Sequence, residues 1–155
     1  MRIEQLFIAG LGAFLPPPVS VREAVADGRY DPREAAETQL ESVLVAEGGS
    51  PPEMAVEAAR RALARSGVAP EEIALVLHAC LLYQGLDYHA IASYIQAAAV
   101  GGHSALALEL RGMSNGGMAA LELAASYLAA APDRAAAPGA PGQLRYQLRD
   151  PEIDL

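Results

Sequence analysis

The sequence predicts an α/β fold built on a mainly parallel sheet flanked by helices. Three observations lead there. Ile73–Leu82 reads IALVLHACLL, the near-continuous apolar run of a strand buried on both faces. Ser104–Leu110 reads SALALEL, and leads through a glycine-rich turn into a helix that is apolar almost all round. Strands alternating with helices in this way imply βαβ units and parallel pairing.

The elements follow in chain order. Gln5–Phe14, QLFIAGLGAF, is expected as a buried strand entering a loop at Pro16-Pro17-Pro18. Its Gly10-x-Gly12 pair lacks the third glycine of a dinucleotide fingerprint and is read as a place where strand and loop pass closely. Ser20 is placed to cap a short helix through Ala26, stopped at Gly28. A second short helix is expected from Asp31 to about Gln39, and a short strand at Val43-Leu44-Val45. Ser50-Pro51-Pro52-Glu53 is a capping box: Ser50 can accept from the backbone three residues on, and Glu53 can reach back. Met54, Ala55, Ala58, Ala59, Ala62 and Leu63 form the apolar stripe of the helix that follows, with Arg60, Arg61 and Arg65 largely off it and Gly67 at its end.

Asp87–Val100 is expected as a helix ended by Gly101-Gly102. Gly116–Ala131 is expected as a buried central helix, because Met118, Leu121, Leu123, Ala125 and Leu128 cover several of its faces. The runs at Gln5–Phe14, Ile73–Leu82 and Ser104–Leu110 are expected to share one sheet. The pattern changes after Asp133. Ala135–Gly142, AAAPGAPG, is a low-complexity linker, and Gln143–Leu155 is a polar tail or peripheral element. Residues 1–134 therefore form the folded part and residues 135–155 the linker and tail.

Composition narrows the function. With 155 residues and 52% apolar content, the chain supports one domain with a real core. The net charge is −8, and all 11 basic residues are arginines. No basic stripe is present, so nucleic acid is excluded as a partner, as is a polybasic membrane anchor. The apolar stretches are too short or interrupted to span a bilayer, and Met1–Leu15 lacks the pattern of a signal peptide. Cys80 is the single cysteine, which fits a reducing, cytoplasmic setting.

The candidate chemistry centres on Ser114. The run Arg111-Gly112-Met113-Ser114-Asn115-Gly116-Gly117 places it at a strand-to-helix turn, near unpaired N–H groups and a positive partial charge. An oxyanion is stabilised there, and Gly112, Asn115, Gly116 and Gly117 are the turn and oxyanion-support candidates. As a plain structural feature, Ser114 would be an N-cap with packing glycines. Gly112-x-Ser114-x-Gly116 also matches the nucleophile elbow of α/β-hydrolases, yet His78, His89 and His103 all precede Ser114, against that fold's Ser–acid–His order.

The other candidates read as structural. Cys80 is a buried thiol, and His78 a satisfied core or interface histidine. His89 and His103 lack a metal-ligand partner at helical spacing, so no metal is expected. Tyr83, Gln84, Tyr88 and Tyr94 cluster between a strand end and a helix, as packing residues or as the lining of a substrate channel or dimer contact.

Four segments carry a resemblance: QLFIAGLGAFLPP, PPEMAVEAARRALARSGVAPEEIALVLHA, YQGLDYHAIASYIQ and ALELRGMSNGGMAALELAASYLAA. From Arg2 to about Arg134 the chain resembles the N-terminal half of ketoacyl-acyl-carrier-protein synthase III, in the thiolase-like superfamily. The resemblance implies a thiolase-like half, with acyl-CoA or acyl-carrier protein as substrate and no cofactor. It puts Ser114 where the family carries its nucleophilic cysteine, and Gly116 at the glycine two residues on. It further implies that the catalytic histidine and its polar partner lie in a second, similar half, so this chain is expected as a homo-oligomer or beside a missing half. A hydroxyl, unlike a thiol, needs an adjacent base, which suits acyl transfer better than carbon–carbon condensation. The rival expectation is a non-catalytic remnant or half-subunit that binds a partner.

Overall fold

The computed structural model describes residues 7–102, 104–130 and 143–144. The chain divides into two units, 15–49 and the remainder. In the larger unit β1, Phe7–Ile8, is followed by a stretch that packs on α3, Pro51–Ser66, instead of continuing as a strand. A methyl built on Gly12 would meet the Ala58 carbonyl and the Ala62 amide, and one on Gly10 would stand 2.9 Å from the Ser66 amide. The carbonyls of Leu11 and Ala13 accept from the Arg65 and Arg61 guanidinium groups of α3, each at 2.9 Å. These backbone acceptors are thus satisfied by side chains, which is why the expected strand ends at Ile8 and does not continue to Phe14. The close passage expected of Gly10-x-Gly12 occurs against a helix.

The smaller unit pairs β2, Pro18–Ser20, antiparallel with β3, Ser42–Leu44. Between them lie α1, Val21–Ala26, and α2, Pro32–Thr38. Ser20 accepts from the Glu23 amide at 3.4 Å, and Asp31 from the Arg33 amide at 2.7 Å, so each helix starts where its cap residue predicts.

β4, Leu75–Cys80, is buried along its whole length and pairs in parallel with β5, Leu106–Arg111. On one face Leu75, Leu77 and Ala79 pack with Ala120 and Ala124 of α5, Gly116–Ala130. On the other, Val76 packs with α3 and with Ile91 and Ile95 of α4, Ile91–Ile95. α4 continues as one π-helical turn, Gln96–Val100, ended by Gly101 at φ 74°. Gln96 is buried there and donates to the Ala105 carbonyl at 2.9 Å, while Arg60 of α3 donates to the Ala98 carbonyl at 2.8 Å.

Three expectations need correction. The helix expected from Asp87 starts at Ile91; Asp87–Ala90 form a turn in which Tyr88 has φ 66°. Among the described residues the three apolar strands do not form one hydrogen-bonded ladder: β4 pairs β5, whereas β1 pairs in parallel with β6, Gln143–Leu144. That short pairing falls in the segment expected as tail or peripheral element. Last, α5 buries only the stripe Gly116, Ala120, Ala124 and Ala125; Met118 is 69% and Leu123 49% exposed. Small residues seat α5 closely on β4, and among the described residues nothing covers its outer face. The α/β class with parallel strand pairing and flanking helices is the one expected.

Candidate functional site

β5 ends at Arg111, and residues 112–115 turn the chain into α5. The turn is narrow. A methyl on Gly112 would stand 3.0 Å from Gly116 Cα and 3.5 Å from Asn115 Oδ1, so glycine is what lets strand end and helix start meet. The Gly116 amide donates to the Met113 carbonyl at 3.1 Å, and the Gly112 amide to the Cys80 carbonyl at 3.4 Å. Gly116 is buried beneath the turn, and Gly117 faces open space.

Ala119 donates to the Asn115 carbonyl at 3.0 Å, which makes Asn115 the boundary residue of α5. Ser114 stands one residue outside the helix and is exposed, so it is not the cap. Ser114 lies beside the carboxyl edge of the parallel strands, where α/β sheets place their ligands.

The neighbouring loop, residues 81–90, leaves the same edge from β4. Arg111 lies over the Tyr83 ring, 5.2 Å from its centre. The Tyr83 hydroxyl donates to the Leu86 carbonyl and accepts from the His89 amide at 3.2 Å. Tyr83 thereby ties the loop into a closed shape, and His89 stacks at an angle on Tyr94. Tyr88 projects fully into solvent.

His78 is not aimed at the serine. It is buried in β4 with Nε2 3.0 Å from Gln84 Oε1. Cys80 is buried at the end of the same strand. His103 lies outside the described residues. Among the described residues no group of three or more His, Cys, Asp or Glu side chains is arranged to hold a metal, and no helix is long and apolar enough to cross a membrane.

Known structures share this fold. The chain is similar to the acyltransferase ChlB3, with 40% identity and a TM-score of 0.75, over 80% of this chain and 37% of that one. It is similar to the priming β-ketosynthase of the R1128 polyketide biosynthetic pathway, with 28% identity and a TM-score of 0.67, over 83% of this chain and 39% of that one. It is also similar to 3-oxoacyl-(acyl carrier protein) synthase III from Pseudomonas aeruginosa PAO1, with 27% identity and a TM-score of 0.64, over 80% and 38%. The chain is a partial synthase III-like protein. It spans 37% to 39% of the length of these three structures. No family model and no curated protein matches it.

Within this synthase III-like unit the structure adds residues that sequence reasoning passed over. Glu109 stands opposite His78 in the β4–β5 register. Its signal was present as the one charge inside SALALEL. Arg111 was read only as part of the turn, and its stacking on Tyr83 requires the pairing of β4 with β5.

Proposed function

We propose that this chain is the part of an acyl-thioester-handling transferase that carries the acyl-accepting nucleophile, Ser114. The observation that carries the reading is the exposed Ser114 at the β5–α5 turn, in a chain 40% identical over its matched length to an acyltransferase. Acyl-CoA or acyl-carrier protein is the proposed substrate, in keeping with the acyl-carrier substrate named for the synthase III of Pseudomonas aeruginosa. Cys80, buried and the single cysteine of the chain, supports a reducing, cytoplasmic setting.

In the proposed step, Ser114 Oγ attacks the thioester carbonyl while its proton passes to a base. The tetrahedral oxyanion collapses, the C–S bond breaks, and the thiol leaves carrying the proton. The acyl-serine then passes its acyl group to a second nucleophile. Since the Gly112 and Gly116 amides are committed inside the turn, these two glycines shape it, and the amides of Asn115 and Gly117 are the proposed oxyanion donors. No histidine follows Ser114, and His78 is engaged with Gln84. The base is therefore proposed to come from outside this chain.

The test is mass spectrometry after incubation with short acyl-CoA thioesters. A positioned general base contributes about 10²–10⁴-fold. The chain alone is expected to acylate slower by that factor than an intact homologue bearing the same GMSNGG turn, with the label on Ser114 and absent from Ser114→Ala. Rapid Ser114-dependent acylation of the chain alone would place the base within it. Label on another residue would overturn the assignment of Ser114. The second reading is a non-catalytic half that binds a partner, favoured by the uncovered outer face of α5. It is supported if the homologue also forms no acyl-serine.

A further inference from the structure

Arg111 is the cation nearest Ser114 along the chain, and it is held differently from the arginines of α3. Those are spent on the fold. Arg60 donates to the Ala98 carbonyl, Arg61 to Glu57 and to the Ala13 carbonyl, and Arg65 to the Leu11 carbonyl. Among the described residues no acceptor takes a hydrogen bond from the Arg111 guanidinium, and no carboxylate pairs with it, Glu109 of the same strand included. What holds Arg111 is the face of the Tyr83 ring, 5.2 Å from its centre.

That ring is itself fixed. The Tyr83 hydroxyl donates to the Leu86 carbonyl and accepts from the His89 amide at 3.2 Å. The next residue, Gln84, lies 3.0 Å from the buried His78 ring. A guanidinium lying over a ring keeps its N–H donors at its edge, as a planar fork that matches a carboxylate through two parallel bonds. Holding the fork in place before a ligand arrives removes part of the ordering cost of binding.

The anion it takes must lie close to the serine. Ser114 follows Arg111 by three residues, a span of at most about 11 Å, and both stand at the carboxyl edge of β4 and β5. That reach covers the acyl part of a thioester at Ser114. The phosphates of coenzyme A or of a carrier's prosthetic arm lie at the far end of the pantetheine chain, beyond it. We propose that Arg111 is a specificity-determining residue that binds a carboxylate on the acyl chain itself, so that the preferred donor is the thioester of a short dicarboxylic acid. The identity of the donor as a thioester rests on the acyl-transfer reading; the free donors and the Tyr83 clamp stand without it.

Nitrogen-15 arginine NMR of the whole chain carrying Ser114→Ala tests this, because binding is then read without turnover. The Arg111 Nε–H signal is assigned by its loss in Arg111→Gln, or in Arg111→Lys if the first variant does not fold. The probes are the succinyl and butyryl thioesters of N-acetylcysteamine, which share a chain length, differ by the carboxylate and carry no phosphate. The succinyl thioester is expected to move the signal and to bind about fivefold tighter than the butyryl one, and the preference should vanish with the guanidinium. Free coenzyme A should leave the signal in place. Equal affinities for the two thioesters, or a signal unmoved by millimolar succinyl thioester, overturn the proposal. So does a signal that coenzyme A moves as far, which would assign Arg111 to phosphate. A signal shifted by Glu109→Gln without any thioester also overturns it, by showing that Arg111 is paired within the chain. The acyl-transfer reading is judged apart, by label on Ser114: succinyl binding through Arg111 with no acyl-serine in the intact homologue defeats that reading alone.

Discussion

Gly12 shows how much one absent side chain can organise. The segment after β1 lies so close to α3 that a methyl on Gly12 would meet backbone atoms at Ala58 and Ala62. A helix backbone cannot give way as a flexible side chain can, so strain must appear as displacement of the whole segment. Gly12→Ala is expected to lower stability by about 1–3 kcal/mol, read as a shift in the denaturation midpoint. An unchanged midpoint would mean that the segment does not rest on α3. Gly112 works in the same way at the other end of the site, where it admits the start of α5. Both positions were visible as glycines. What each one touches was not, because the contacting residue in the first case lies some fifty positions away in the chain.

Helix boundaries are the elements read most faithfully, since they are set by neighbours in sequence. α1, α2 and α3 start after Ser20, Asp31 and Ser50, and Gly28 and Gly67 take the left-handed backbone that ends α1 and α3. At α3 the Ser50 amide and hydroxyl both donate to Glu53 Oε2, at 2.7 and 2.9 Å, so the reaching-back arm of the capping box dominates. These bonds, the backbone one first, hold the Glu53 carboxyl below its ordinary value. A carboxyl depressed on folding stabilises the fold above its unfolded pKa, and that stability is lost as pH falls through the folded value. Glu53→Ala is therefore expected to be less stable than the wild type near neutral pH, and the gap should close on acidification below the ordinary carboxylate range. Denaturant titrations at several pH values check this; a gap that persists in acid would assign the effect to packing. α4 was misread at its start because Asp87–Ala90 is held as a turn by Tyr83, a contact no helical periodicity reveals.

At the scale of the molecule, β5 and α5 of the larger unit both expose apolar surface. Leu106 and Leu108 of β5 are each 45% exposed, and Met118 and Leu123 of α5 more so. Uncovered apolar patches drive association, and among the described residues β5 pairs on one side only, leaving a strand edge beside them. The isolated chain is expected to self-associate in sedimentation velocity. Met118→Glu with Leu123→Glu should shift it toward monomer by placing charge on the outer face of α5. A monodisperse wild-type monomer with a cooperative melt would show that the patch needs no cover. The same surface is where the remainder of a longer synthase III-like protein would be proposed to dock.

The sequence by itself determined the α/β class, the starts and stops of α1, α2 and α3, the strand–turn–helix around Ser114 and the resemblance to synthase III. Each is written in local spacing: caps, glycines, apolar runs and a contiguous motif. Tertiary structure alone decided that the chain stops being a strand after Ile8, because α3 arginines take the Leu11 and Ala13 carbonyls that a strand would have paired. It decided that an all-apolar helix buries one stripe only, since composition records what a face prefers and not whether anything is there to cover it. It also decided that Glu109 stands across from His78, because strand register joins residues whose separation in sequence carries no period to read.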